Sequence, residues 1–158
     1  MDEQQLIGLP DELVERIREE AEENDDIYRR RTADLDVSRI HYFHSEMVSW
    51  AIRQLGDLQG ARILDIGIGD GHSSVLMALA GAHVTGIEVS PVALARTEAL
   101  ARHNGVKLDL HEMPGEALRF DKGAFDGILC VCVSSYGPGE GCRRICARVA
   151  SRRTSIHD

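Results

Sequence analysis

The stretch Ala61-Arg62-Ile63-Leu64-Asp65-Ile66-Gly67-Ile68-Gly69-Asp70-Gly71-His72-Ser73 decides the fold of this 158-residue chain. Ile63, Leu64 and Ile66 make a short apolar run that suits a strand buried on both faces. Glycines then alternate at 67, 69 and 71, and Ser73 to Leu79 is a helix-compatible run. Strand, glycine loop and helix in this order build a nucleotide site at the carboxyl end of an open parallel sheet. Glycine supplies positive φ and lets a ligand approach the backbone. The helix that follows presents unpaired N–H groups.

Spacing separates two ligand classes. A dinucleotide fingerprint G-x-G-x-x-G needs glycine at 67, 69 and 72, and position 72 is His72. The chain has G-x-G-x-G instead, with Asp65 two residues ahead of Gly67. This stretch resembles the first motif of class I S-adenosylmethionine (SAM) methyltransferases, [VIL]-L-[DE]-x-G-x-G-x-G. The resemblance implies SAM as cofactor, S-adenosylhomocysteine (SAH) as product, Asp65 near the amino acid end of SAM, and Gly67, Gly69 and Gly71 passing beneath it.

Later segments follow in the order the resemblance implies. His83 to Glu88 reads as a second strand, and Glu88 ends it 19 residues after Gly69. A carboxylate there can accept hydrogen bonds from both hydroxyls of a ribose, because the second strand lies beside the first. A strand-end carboxylate is not core, so its replacement is expected to leave folding intact. Val84-Thr85-Gly86-Ile87-Glu88-Val89-Ser90-Pro91 is similar to the second methyltransferase motif, which implies Val89 against the adenine. Ser90-Pro91 is a cap followed by proline at the first helical position, and the helix runs from Val92 to His103.

Val106 to His111 alternates and reads as a third strand. Met113-Pro114-Gly115-Glu116-Ala117-Leu118-Arg119-Phe120 stands where the ubiquinone-biosynthesis group of small-molecule methyltransferases has G-D-A-E-x-L-P-F. Pro114 replaces the aspartate that accepts from the adenine amino group in that pattern. The backbone of Gly115 and Glu116 can still face adenine, with Glu116 or Glu112 as substitute acceptors. Ala124 to Val133 is the fourth strand, similar to the fourth motif, and its end near Cys130 faces the cofactor by that resemblance.

N-terminal to these motifs, residues 1–9 are expected to fray. Pro10-Asp11-Glu12 opens a helix with Leu13, Ile17 and Ala21 on a narrow apolar face, ended by Asn24-Asp25-Asp26. Arg29-Arg30-Arg31 reads either as a solvated surface or as a contact for an anionic substrate. Asp36 or Ser38 caps a second helix with apolar positions from Ile40 to Leu55, stopped by Gly56. His41 and His44 lie one turn apart on it. They are core or surface histidines, or candidates for a general base toward substrate, since histidine titrates near neutral pH.

Composition bounds the function. Residues 1–36 carry thirteen acids and five arginines, and residues 37–158 balance at thirteen of each sign, so no basic field for nucleic acid exists. No apolar run reaches the 18 residues of a membrane span. The acidic, polar start is unlike a secretory signal, and a cytoplasmic setting is expected. Cys130, Cys132, Cys142 and Cys146 have C-x-C and C-x-x-x-C spacings, neither of them C-x-x-C, so no metal is expected. Cys130 and Cys132 lie in an apolar run, where cysteine behaves as a small hydrophobe, and a reducing compartment disfavours a disulfide.

The fold class that results is α/β: a Rossmann-like, doubly wound, mostly parallel sheet, incomplete in the order 3-2-1-4, with N-terminal helices. Its parts are a helical arm over 1–56, a SAM-binding half over 57–136 and an Arg-rich tail over 137–158. The complete fold of the family has seven strands in the order 3-2-1-4-5-7-6. Five of the last 22 residues are arginine and none is lysine, and a short helix over Arg143–Ala150 is expected. With four strands, Ile128 to Val133 becomes an uncharged edge that recruits another strand. This predicts a homodimer, by edge pairing or by exchange of the tail, unless residues 137–158 fold back over the edge. The functions in view are a SAM-dependent methyltransferase acting on a small molecule and a non-catalytic SAM- or SAH-binding module. An NAD-binding oxidoreductase half is opposed by His72.

Overall fold

A computed structural model describes residues 3–32, 35, 37, 42–131 and 145–149. Strand β1 (Arg62–Ile66) lies at the centre, pairing in parallel with β2 (His83–Glu88) on one side and β4 (Gly127–Val131) on the other. Strand β3 (Asp109–Glu112) extends the sheet beyond β2. The order 3-2-1-4 of the sequence reading is therefore present, and β5 (Ile145–Val149) is added antiparallel to β4.

That fifth strand corrects one expectation and decides between two others. Residues 145–149 are extended, not part of a helix over Arg143–Ala150. Strand β5 also occupies the outer edge of β4, which is the alternative in which residues 137–158 fold back over it. The physical reason is the one that made the edge a liability: the uncharged backbone of β4 gains ladder hydrogen bonds from the nearest extended segment.

Alternating side chains divide the core between the two faces of the sheet. Ile63, Val84 and Leu129 face helices α2 (Tyr42–Gln54) and α3 (His72–Leu79), packing with Ala51, Leu55 and Met77. Helix α4 (Pro91–His103) lies beside α3, where Leu100 and Ala101 meet Val75. On the opposite face Leu64, Ile87 and Ile128 are covered by Met113, Phe120 and Phe125. The two phenylalanine rings meet edge-on, with centroids 5.0 Å apart.

Helix α1 (Asp11–Arg30) does not end at Asn24-Asp25-Asp26. It continues because both aspartates take arginine partners one turn on: Arg29 reaches Asp25 at 2.9 Å and Asp26 at 3.3 Å, and Arg30 reaches Asp26 at 3.6 Å. The cations of the last turn also suit the negative end of the helix dipole. Of its expected apolar face, Ile17 alone is fully buried. The segment ahead of α1 does not simply fray: Glu3–Gln5 forms a 3-10 turn and Leu6 is buried. Strand β3 begins at Asp109 and β4 at Gly127, later than the runs that suggested them, and α2 begins at Tyr42, after the expected caps Asp36 and Ser38, which lie outside the described residues. Among the described residues no helix is long and apolar enough to cross a membrane.

Candidate functional site

The carboxyl ends of β1 and β2 open onto the loop 67–71. Gly67, Gly69 and Gly71 all have positive φ, between +56° and +78°. A Cβ on Gly67 would meet no atom within 4 Å, so the backbone there borders open space. A Cβ on Gly69 would lie 2.7 Å from Tyr28 Oη, and one on Gly71 would lie 2.9 Å from Thr97 Cβ. The three glycines thus have different neighbours: open space, the end of a side chain from α1, and a branched side chain of α4.

Glu88 ends β2 and is 6% exposed. Its Oε2 accepts the Gly69 N–H at 3.1 Å, and its Oε1 accepts the N–H groups of Val89 at 2.9 Å and Ser90 at 3.1 Å. A carboxylate has about four lone-pair positions, and these three donors leave one, which corrects the expectation that Glu88 accepts from both hydroxyls of a ribose while holding the loop. Burial pushes the Glu88 carboxyl above the usual range, opposed by the three backbone donors, and the charge of Asp25 pushes it further up. The premise that a strand-end carboxylate is not core is corrected: Glu88 is buried and accepts three backbone N–H groups.

Asp65 sits deeper, 2% exposed. Ser74 Oγ donates to its Oδ2 at 2.7 Å and Ser73 Oγ at 3.3 Å, tying the strand to the first turn of α3. Burial raises its carboxyl to about 6, against the pull of the two hydroxyls, and the charge of Glu88 adds to the rise.

Helix α1 roofs the loop. Asp25 Oδ1 accepts from Ser90 Oγ at 2.5 Å and from Val92 N–H at 3.4 Å, at the N-terminus of α4. Ser90 Oγ in turn accepts from Ala93 N–H at 3.1 Å, the cap read from the sequence. Tyr28 lies over Gly69, and burial, then the charges of Glu88 and Asp70, push its phenol up to about 12. At the other end of the roof, Arg16 pairs with Glu116 at 3.3 Å, and Glu20 lies in the field of Glu116 and Glu88. Burial, then those two charges, raise the Glu20 carboxyl.

The structure brings together Asp65, Gly67, Gly69, Gly71, Glu88 and Val89 at one loop. Gly115 adjoins them through Ile66: a Cβ there would lie 3.2 Å from Ile66 Cγ2. Cys130 is half-buried and pairs in register with Ile66. His41 lies outside the described residues, as does the side chain of His44, which is in the first turn of α2. The basic run is engaged within the chain, Arg29 and Arg30 with Asp25 and Asp26, and Arg31 with Asp70 at 3.3 Å. Sequence reasoning missed Asp25, Tyr28 and Arg96. Their only local signal is the i,i+4 pairing of Asp25 with Arg29.

Comparison with known proteins gives the same region. A family profile described as a methyltransferase domain matches residues 63–152. The chain is 33% identical over 113 residues to a ubiquinone biosynthesis O-methyltransferase of Bordetella parapertussis, covering 70% of this chain and 47% of the relative. Among solved structures, the YcgJ protein of Bacillus subtilis superposes with a TM-score of 0.52 at 24% identity, covering 55% of this chain and 38% of that one. The [4+2]-cyclase SpnF does so at 0.50 and 28% identity, covering 52% and 32%. The chain spans about a third to a half of the length of the curated relatives it matches.

Proposed function

The chain belongs to the methyltransferase-domain family, and from that membership we propose that it binds SAM at the loop 67–71 and transfers its methyl group to a small-molecule acceptor. The observation that carries the reading is the Glu88 carboxylate at the end of β2, hydrogen-bonded to Gly69 and keeping one lone-pair position for a ribose hydroxyl. The residues fit the cofactor: the Gly67 backbone borders open space, the Val89 backbone follows Glu88 at the adenine end, and Gly115 and Glu116 close that end under Arg16. Cys130 closes the β4 side in this reading.

When bound, the cofactor supplies a methyl group already activated on a sulfonium. The work left to the protein is to position and orient the two reactants. Asp65 shapes the loop through Ser73 and Ser74. Glu88 and the loop amides hold the nucleoside, and Tyr28 with α1 excludes water above Gly69. His41 and His44 are the candidates for a base toward an O or C nucleophile. The reading carries a cytoplasmic setting with it, and divides the chain at 56 and 136 into arm, cofactor half and tail.

A second reading is a SAM- or SAH-binding module without methyl transfer, acting through a partner. It is favoured by the chain's likeness to the [4+2]-cyclase SpnF, a fold-mate named for a reaction other than methyl transfer. Incubation with methyl-labelled SAM and a panel of metabolites tests the pair. Label moving to an acceptor supports transfer, whereas SAH binding without turnover leaves the module.

A further inference from the structure

The register of β4 and β5 places Cys146 directly opposite Cys130. Directly opposite residues of an antiparallel pair have Cα atoms about 4.5 or 5.5 Å apart, according to their hydrogen-bonding class. Both values fall within the roughly 4.4–6.8 Å that a disulfide spans. The sequence spacing of 16 residues concealed this, because it gives no register. The four cysteines allow six pairings, and among the described residues this is the one that the ladder makes directly opposite. Cys132 and Cys142 lie outside the described residues. The pair also sits at the functional end of the sheet: Cys130 is in register with Ile66, the residue before Gly67.

We propose that Cys130 and Cys146 are a redox modification site that closes as a reversible cross-strand disulfide, fixing β5 to β4 beside the glycine loop. The oxidant class is a low-molecular-weight disulfide such as glutathione disulfide. One protein thiolate attacks it, forming a mixed disulfide and releasing one glutathione thiolate. The second protein thiolate attacks the protein sulfur of that mixed disulfide, forming the Cys130–Cys146 bond and releasing the second glutathione. Two protein thiols are oxidised, one glutathione disulfide is reduced to two thiols, and the two protons pass to the released thiolates. Such disulfides in a reducing compartment are transient and regulatory more often than structural.

The test uses the full chain, treated with glutathione disulfide, alkylated and digested with trypsin. Cleavage after Lys122, Arg143, Arg144 and Arg148 puts Cys130, Cys132 and Cys142 on one peptide and Cys146 on another. The expected product is a cross-link between the two peptides, from monomeric protein, with fragment ions placing the bond on Cys130 and loss of the link on reduction. A double variant, Cys132→Ala with Cys142→Ala, keeps only the proposed pair and is expected to cross-link to the same extent as the unaltered chain. Glutathione adducts alone, a bond within the first peptide, a bond between two chains, or loss of the link in the double variant would overturn the proposal.

Discussion

Arg96 joins the glycine loop to the end of α1. Its Nε donates to Asp70 Oδ1 at 2.9 Å, while its Nη1 and Nη2 donate to the carbonyls of Tyr28, Arg31 and Thr32 at 3.1, 3.0 and 3.3 Å. Asp25 makes the reverse connection, from α1 to the start of α4. Each helix therefore satisfies end groups of the other, and Tyr28 is held over Gly69 as a consequence. Arg96→Ala is expected to cost about 1–3 kcal/mol in stability, read from urea midpoints, because it removes a part-buried charge-assisted hydrogen bond to Asp70 and the side-chain donor to the Tyr28 carbonyl. Arg96→Lys recovers only part, since a lysine has three donors around a point and no planar fork. Equal midpoints for the alanine variant and the unaltered chain would show that the cross-capping contributes nothing.

Gly71→Ala is expected to destabilise more than Gly69→Ala. Both sit at positive φ, a strain of about 1 kcal/mol for alanine. At Gly69 the obstacle is the Tyr28 hydroxyl, the far end of a side chain. At Gly71 it is the branch point of Thr97, which cannot swing away, and overpacking adds about 1–3 kcal/mol. Tyr28→Phe is expected to recover part of the Gly69→Ala loss and none of the Gly71→Ala loss. A double-mutant cycle with no coupling between positions 28 and 69 would contradict the contact.

Much of this architecture was legible, for a physical reason. The runs of β1 and β2, the Ser90 cap and the glycine spacing are local signals, set by residues within a few positions of one another. The roof was not legible. Asp25–Ser90 and Arg96–Tyr28 join residues 65 and 68 positions apart, and no periodicity reports such a pair. The composition of Asn24-Asp25-Asp26 suggests a break, while the charges of Asp25 and Asp26 are matched by arginines one turn later. Strand β5 was misread as helix because an Arg-rich pattern carries no sign of the edge that captures it. The position of Glu88 at the end of a strand is a local signal, but its burial and three backbone donors belong to tertiary structure.

The pH dependence of stability carries a signature of Asp65. Its carboxyl is raised from 3.8 to about 6 in the folded chain. The folded state therefore binds more protons than the unfolded state between those values. The stabilisation is complete below about pH 4 and is lost as pH rises through 6, by about 3 kcal/mol. Glu88 and Glu20 are raised as well and slope the same way, so the comparison must be with Asp65→Asn, which cannot ionise. The stability difference between the unaltered chain and Asp65→Asn is expected to shift in favour of Asn from pH 4 to pH 7. A difference that stays flat over that range would mean that the carboxyl is not raised.

Glu88→Gln keeps one acceptor oxygen but turns an amide N–H2 toward backbone donors. It is expected to weaken SAH binding by roughly 1–3 kcal/mol, the scale of a charge-assisted hydrogen bond, and to lower stability at the same time. Calorimetric affinity unchanged in a folded variant would remove Glu88 from the cofactor site.

The most direct test of the account is titration calorimetry of the purified chain with SAH, with NAD as the parallel ligand. One SAH is expected to bind per chain, with no binding of NAD, and saturating SAH is expected to raise the melting temperature. Absence of SAH binding, or binding of NAD in its place, would contradict a SAM site at the loop 67–71.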